Sequence, residues 1–70
     1  MSNAAMRFRR ELIDDNDGLR ERLAPQIADA LVLLRGAVFT DESHYWGSIA
    51  DVLWVIHMPA ALAAAVWVER

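Results

Sequence analysis

The sequence contains no cysteine and no lysine, and these absences exclude several classes of function. Without cysteine the chain forms no disulfide, binds no metal through thiolates and has no cysteine nucleophile. Its seven basic residues are all arginines, they are interleaved with ten acidic residues, and the net charge is −3. Proteins that bind nucleic acid usually present a basic face, so we expect no nucleic acid among the partners. The sequence also has no glycine-rich phosphate loop, no nucleophile elbow and no HExxH motif, so we expect no catalytic residues and no enzymatic activity.

Charged side chains are nearly absent from residues 49–68, where only Asp51 and His57 carry or can gain a charge. Twenty residues are what an α-helix needs to cross roughly 30 Å of hydrocarbon at about 1.5 Å per residue. No polar side chain interrupts residues 58–68, and a helix that is apolar all round must be buried in a large core or in lipid. A chain of 70 residues has no large core. The stretch therefore predicts a transmembrane helix.

The fold class expected from these patterns is all-α, with one transmembrane helix over about residues 44–68 preceded by one or two short amphipathic helices. Apolar residues recur every three or four positions from Leu19 to Val38, and Pro25 and Gly36 suit the first turn and the end of a helix over about residues 25–35. Thr40, Asp41 or Ser43 is expected to cap the last helix. The chain divides into three parts: a charged N-terminal arm with a short helix (1–18), an amphipathic helix (19–38), and the loop and transmembrane helix (39–70).

The positions of the charged and aromatic residues predict where the chain is located and how the transmembrane helix is oriented. Six of the seven arginines precede the apolar stretch, which places the N-terminus on the cytoplasmic side of a membrane, expected to be a bacterial inner membrane. Tyr45, Trp46 and Trp54 near one end and Trp67 at the other are typical of the aromatic belts at the two membrane surfaces. Membrane lipid is therefore an expected partner.

Asp51 makes insertion of this helix on its own marginal. A carboxylate at depth opposes insertion by up to about 3 kcal/mol. We therefore expect the buried Asp51 to have a charge or hydrogen-bond partner on another helix or at the membrane interface, on this chain or on a different one. His44 lies seven residues before Asp51 and on the same helix face. Ala60 and Ala64, with Ala61 and Ala65, form two small-xxx-small pairs that permit close approach of a neighbouring helix. Other transmembrane helices of a larger complex are the second expected partner.

His57 falls near the middle of the apolar stretch and is the candidate cofactor-binding residue. A neutral ring nitrogen there could ligate a haem iron or a chlorophyll magnesium, although a histidine that is hydrogen-bonded to a neighbouring helix is the commoner case. No carboxylate stands at a metal-site spacing from His57 or His44. We therefore predict no metal site and no cofactor.

Two short motifs resemble a known family. Asp51-Val52-Leu53-Trp54-Val55-Ile56, followed by Met58-Pro59, is similar to the closing helix of subunit III of the haem-copper (cytochrome c type) oxidases, which a YWHFVDxVW motif opens. Upstream, Arg35-Gly36, Phe39-Thr40, Glu42 and His44 resemble the RGxFTxExH-type loop that leads into that helix. The resemblance covers about residues 35–62. It departs where Tyr45-Trp46 is followed by Gly47-Ser48-Ile49-Ala50, which adds one residue and lacks the motif's histidine, and the loop is about two helical turns shorter.

The resemblance implies a small accessory subunit of a respiratory-chain complex that holds no haem or copper and packs on the catalytic subunit. Asp51 and Trp54 would then have structural roles. Two other classes remain open. One is a single-span pigment-binding polypeptide with His57 as the ligand, although such polypeptides favour alanine four positions before the histidine, where this sequence has Leu53. The other is a soluble helical module that oligomerises through its C-terminal helix.

Overall fold

The computed structural model describes residues 3–57, which form four α-helices and no strand. The expectation of an all-α fold is confirmed for this part of the chain. The helices are α1 (Asn3–Asp14), α2 (Leu19–Arg22), α3 (Ala24–Leu33) and α4 (Glu42–Ile56).

Helix α1 packs mainly on α4 through one apolar stripe. Ala5, Phe8 and Leu12 recur at helical spacing and are buried, while Arg7 and Arg10 between them are exposed. The ring of Phe8 lies 5.8 Å, centroid to centroid, from that of Trp54 on α4. The short N-terminal helix expected from the sequence is therefore an integral part of the fold.

The turn after α1 is held by Arg20, whose side chain links three helices. Asp15 and Gly18 both have positive φ, which suits a tight reversal of the chain. The guanidinium of Arg20 donates to the carbonyl oxygens of Leu12 (3.0 Å) and Ile13 (2.8 Å), which α1 leaves without helical partners. The same guanidinium lies 3.9 Å above the ring of Trp46 on α4. One side chain thus caps α1 and fixes it against α4.

The apolar periodicity that begins at Leu19 forms two helices instead of one. Helix α2 ends at Arg22 because Pro25 has no N–H to donate to the carbonyl of Glu21. Proline is compatible with the first turn of a helix, and Pro25 does lie there in α3. Gly36, with φ of 90°, follows the end of α3. The predicted helix over 25–35 is thus present with slightly different bounds.

Helix α4 begins with a cap of the predicted kind. The carboxylate of Asp41 accepts a hydrogen bond of 2.8 Å from the backbone N–H of His44, so Asp41 is the N-cap residue. The ring of His44 returns toward the loop, where its Nδ1 accepts from the backbone N–H of Thr40 at 3.1 Å. These two bonds fix the direction in which the chain enters α4.

The end of α4 corrects the expectation of one continuous helix over about 44–68. Helix α4 ends at Ile56, with His57 as its C-cap residue. Pro59 explains this end, because proline disfavours helical geometry at the residue before it and removes a helical hydrogen bond. No helix within residues 3–57 is long and apolar enough to cross a membrane. Residues 58–68, which include Ala60, Ala64 and Trp67, lie outside the described part.

The core is formed by residues from all four helices. It includes three residues from the first half of the stretch predicted to be transmembrane, Ile49, Ala50 and Leu53, each at most 1% exposed. No polar or charged residue is buried among the described residues. The buried cluster consists of Phe8, Leu12, Leu19, Leu23, Ile27, Ala30, Ile49, Ala50 and Leu53.

Candidate assembly surface

The expected charge partner of Asp51 on another helix is present, but within this chain Asp51 lies at the surface of α4 and not among apolar side chains. Its side chain is 47% exposed, and its Oδ1 lies 3.5 Å from Nε of Arg9 on α1. The reason is helical geometry, because Ile49, Ala50 and Leu53 turn one face of α4 into the core and Asp51 projects from another. Exposed ion pairs contribute only about 0–1 kcal/mol, so this pair fixes orientation more than it adds stability.

Gly47 lets Arg9 lie against α4, a role that no sequence pattern indicated. A Cβ atom at position 47 would come within 2.7 Å of Nη2 of Arg9. The missing side chain therefore makes room for the guanidinium beside Asp51. The only available signal was a glycine inside α4 with an acid four residues later, and sequence spacing does not reveal that Arg9 of α1 meets them.

Three of the four aromatic residues expected at a membrane surface, Tyr45, Trp46 and Trp54, pack within the described part of the protein. Trp54 and Trp46 are half-buried against the core, on Phe8 and under Arg20 respectively. The rings of Tyr45 and Trp46 meet edge to face at 5.0 Å, and Phe39 packs on Tyr45 at 5.1 Å. These contacts account for Tyr45, Trp46 and Trp54 without a membrane.

His57 bonds to a neighbouring helix. Its Nε2 lies 3.1 Å from Oδ2 of Asp29 on α3, which joins the end of α4 to the middle of α3. Only Nδ1 is left for any cofactor. Within residues 3–57 no group of three or more histidine, aspartate or glutamate side chains is arranged to hold a metal ion.

His44, Asp51 and His57 do not form one constellation. Each has a different partner, namely Thr40 for His44, Arg9 for Asp51 and Asp29 for His57. His44 and Asp51, which the sequence places on one face of a helix, therefore make separate contacts, and His57 makes a third.

Large apolar side chains are exposed on both sides of the Asp29–His57 pair. Val32 and Leu33 are 65% and 62% exposed, and they follow Asp29 by three and four residues on the same side of α3. On α4, Val55 is 80% and Ile56 40% exposed immediately before His57. We call Val32, Leu33, Val55 and Ile56 the apolar surface. Large apolar side chains that stay exposed on two helices are a candidate interaction site.

Two open hollows lie elsewhere on the described part of the molecule. One, of about 240 Å³, is lined by Met6, Arg9, Arg10 and Ile13 along α1. The other, of about 80 Å³, lies at the turn after α1 and is lined mainly by acidic side chains. Neither contains one of the candidate residues His44, Asp51 or His57. The apolar surface borders one of them, His57, and is the stronger candidate for a functional site.

Comparison of the chain with protein-family models, with curated proteins and with solved structures gives no significant match.

Proposed function

We propose that the chain is a non-catalytic helical module that holds a larger assembly together through residues 58–68 and the apolar surface beside them. The observation that carries the proposal is the position of this surface. It lies where the described fold ends at His57 and the uninterrupted apolar segment begins. Two apolar features that adjoin in this way favour binding to another apolar surface.

The division of the apolar stretch supports assembly through protein contacts. Ile49, Ala50 and Leu53 are already buried against α1 and α3. The remaining segment, residues 58–68, would be about 16 Å long as a helix, roughly half of the 30 Å hydrocarbon thickness. A segment of this length is too short to cross the hydrocarbon layer, but its apolar side chains can be buried against an apolar face of another protein. This proposal develops the helical module that oligomerises through its C-terminal region.

A second candidate is a membrane-embedded accessory subunit of a respiratory oxidase-like complex. It is favoured by the lack of any polar side chain in residues 58–68 and by the likeness of residues 35–62 to oxidase subunit III. Under this proposal Asp51 and Trp54 have structural roles, lipid and other transmembrane helices are the partners, and the N-terminus is cytoplasmic. A span over 49–68 requires Ile49 and Leu53 to leave the core and face lipid.

The lack of catalytic activity is proposed because the candidate groups are dispersed. His44 is engaged in the entry to α4, Asp51 in an ion pair with α1 and His57 in a bond to α3. A general acid and base must both reach one substrate, and these contacts hold the three side chains in separate places. Turnover by the purified chain without partners would contradict this part of the proposal.

The test compares the full-length chain with variants that place a charge in the segment. Leu62→Asp and Val66→Asp should abolish association, measured as the mass of the native assembly by light scattering, because an unpaired carboxylate is costly to bury. Val38→Asp is the matched control, since Val38 is 87% exposed and lies in the loop before α4. The control should leave the assembly unchanged.

Membrane fractionation of the same variants separates the two candidates. Assembly through protein contacts predicts that the wild-type complex stays in the supernatant, whereas the membrane-embedded subunit predicts release from the pellet by detergent only. A wild-type chain that is monomeric and free of membranes would overturn both.

A further inference from the structure

The side of α3 that is turned away from the core is apolar and exposed along the length of the helix. Ile27 and Ala30 are buried, whereas the outward side consists of exposed positions spaced three or four residues apart. Its large side chains, Leu31 and Val32, are 37% and 65% exposed. We call this set the α3 face: Ala24, Pro25, Ala28, Leu31 and Val32.

Charges of opposite sign stand at the two ends of the α3 face. Glu21, on α2, lies before the face, and Arg35 lies after it. Both residues are exposed, and neither takes part in an ion pair within residues 3–57. Asp29, the acid beside the face, is already bonded to His57. An apolar face with an acid at one end and a base at the other is complementary in charge to an antiparallel copy of itself.

The order of small and large side chains has the same symmetry. In an antiparallel pair of helices with its two-fold axis at Ala28, residues at equal distances before and after Ala28 meet across the interface. Ala24 then faces Val32 of the second copy, and Pro25 faces Leu31. Small side chains therefore oppose large ones, which favours close packing. Ala28 meets its own copy at the axis, where a small side chain lets the two helices approach.

We propose that the α3 face packs on the α3 face of a second copy of this chain, antiparallel about a two-fold axis at Ala28, with Glu21 of each copy beside Arg35 of the other. Two-fold contacts of this kind are the commonest in homo-oligomers. We expect one pair of ten-residue helices to bury less than the roughly 1,000 Å² that a stable interface needs. The pairing therefore sets how two copies lie within the proposed assembly, and it rests on that proposed function for the remaining contact area.

The absence of cysteine allows a test with single-cysteine variants of the full-length chain. Ala28→Cys, Ala24→Cys and Val32→Cys all replace exposed residues of the α3 face. At a helix separation of about 8–10 Å, two copies of position 28 have Cα atoms within about 6 Å of each other, which a disulfide can span. Two copies of position 24, or of position 32, are about 12 Å apart along the helix axis, which a disulfide cannot span.

Each variant is oxidised with copper phenanthroline at one fixed concentration, and the disulfide-linked dimer is followed by non-reducing gel electrophoresis. Maleimide labelling of the three thiols controls for differences in their reactivity, and circular dichroism checks the helical fold. We expect Ala28→Cys to form the linked dimer several-fold faster than Ala24→Cys or Val32→Cys. An equimolar mixture of Ala24→Cys and Val32→Cys should form the mixed dimer several-fold faster than either variant links to itself.

Equal rates for the three variants would overturn the proposal, and fast self-linking of Ala24→Cys and Val32→Cys would show a parallel pair instead. Light scattering on the same samples separates this outcome from failure of the proposed function. A chain that assembles but has equal rates contradicts the α3 pairing alone. A chain that keeps the fast Ala28→Cys reaction after Leu62→Asp is added supports the pairing and contradicts the need for residues 58–68. A monomeric chain with equal rates contradicts both.

Discussion

Arg20 contacts both α1 and α4 through a single side chain, and its removal should be costly. Its guanidinium satisfies two carbonyl oxygens at the end of α1 and lies over the ring of Trp46. Hydrogen bonds to charged groups contribute about 1.5–3 kcal/mol, so Arg20→Ala should lower the free energy of unfolding by about that amount. Urea unfolding followed by circular dichroism measures the change.

Arg22→Ala is the matched control for Arg20→Ala. Arg22 lies on the same short helix, and its guanidinium donates to the carbonyl of Asp17 at the surface. Surface substitutions usually change stability by less than about 0.5 kcal/mol. Equal losses for the two variants would show that the contacts of Arg20 with α1 and Trp46 have no special importance.

The sequence predicted some of these residue-level features and missed others for a physical reason. Asp41 was a candidate cap because capping depends on residues three positions apart, and the pattern is local. Arg20 over Trp46 and Arg9 over Gly47 join positions far apart in the chain. A single sequence contains no signal for such contacts. A charge partner for Asp51 on another helix was predicted, but the sequence could not identify that partner as Arg9.

At the scale of the secondary-structure elements, the stability of α4 depends on its N-cap residue, Asp41. Asp41→Ala removes the bond to the backbone N–H of His44 and should cost about 0.5–2 kcal/mol. A loss of 1 kcal/mol lowers the melting temperature by about 4–8 °C in a chain of this size. Asp41→Asn keeps an accepting oxygen and should be close to wild type in a thermal scan. A melting temperature of Asp41→Ala equal to that of wild type would contradict this role of the cap.

The helices themselves were predictable, and their ends were less so. Proline and glycine chemistry located α3 to within about two residues, a usual uncertainty of helix boundaries. The long helix was extended through Pro59 because hydropathy alone favoured one apolar run. Hydropathy measures how much apolar surface a segment has. It does not distinguish burial in lipid from burial against other helices of the same chain, which is where Ile49 and Leu53 lie.

In the molecule as a whole, the two faces of α4 have different surroundings. Its inner face completes a core with α1, α2 and α3, and its outer face, near the C-terminal end, adds Val55 and Ile56 to the apolar surface. A helix that spans a membrane alone would have no such division, because lipid surrounds it on all sides. The stability of the chain should therefore depend strongly on which face of α4 is altered.

The most direct test compares Leu53→Ala with Val55→Ala in the full-length chain. Leu53 is fully buried and Val55 is 80% exposed, although they are only two residues apart in one apolar run. Truncating a buried leucine costs about 2–5 kcal/mol, whereas an exposed substitution should change the free energy of unfolding by less than about 0.5 kcal/mol. Urea unfolding should show a large loss for Leu53→Ala and almost none for Val55→Ala. Similar losses for the two variants would contradict the division of α4, because they would mean that Leu53 and Val55 are buried to a similar extent.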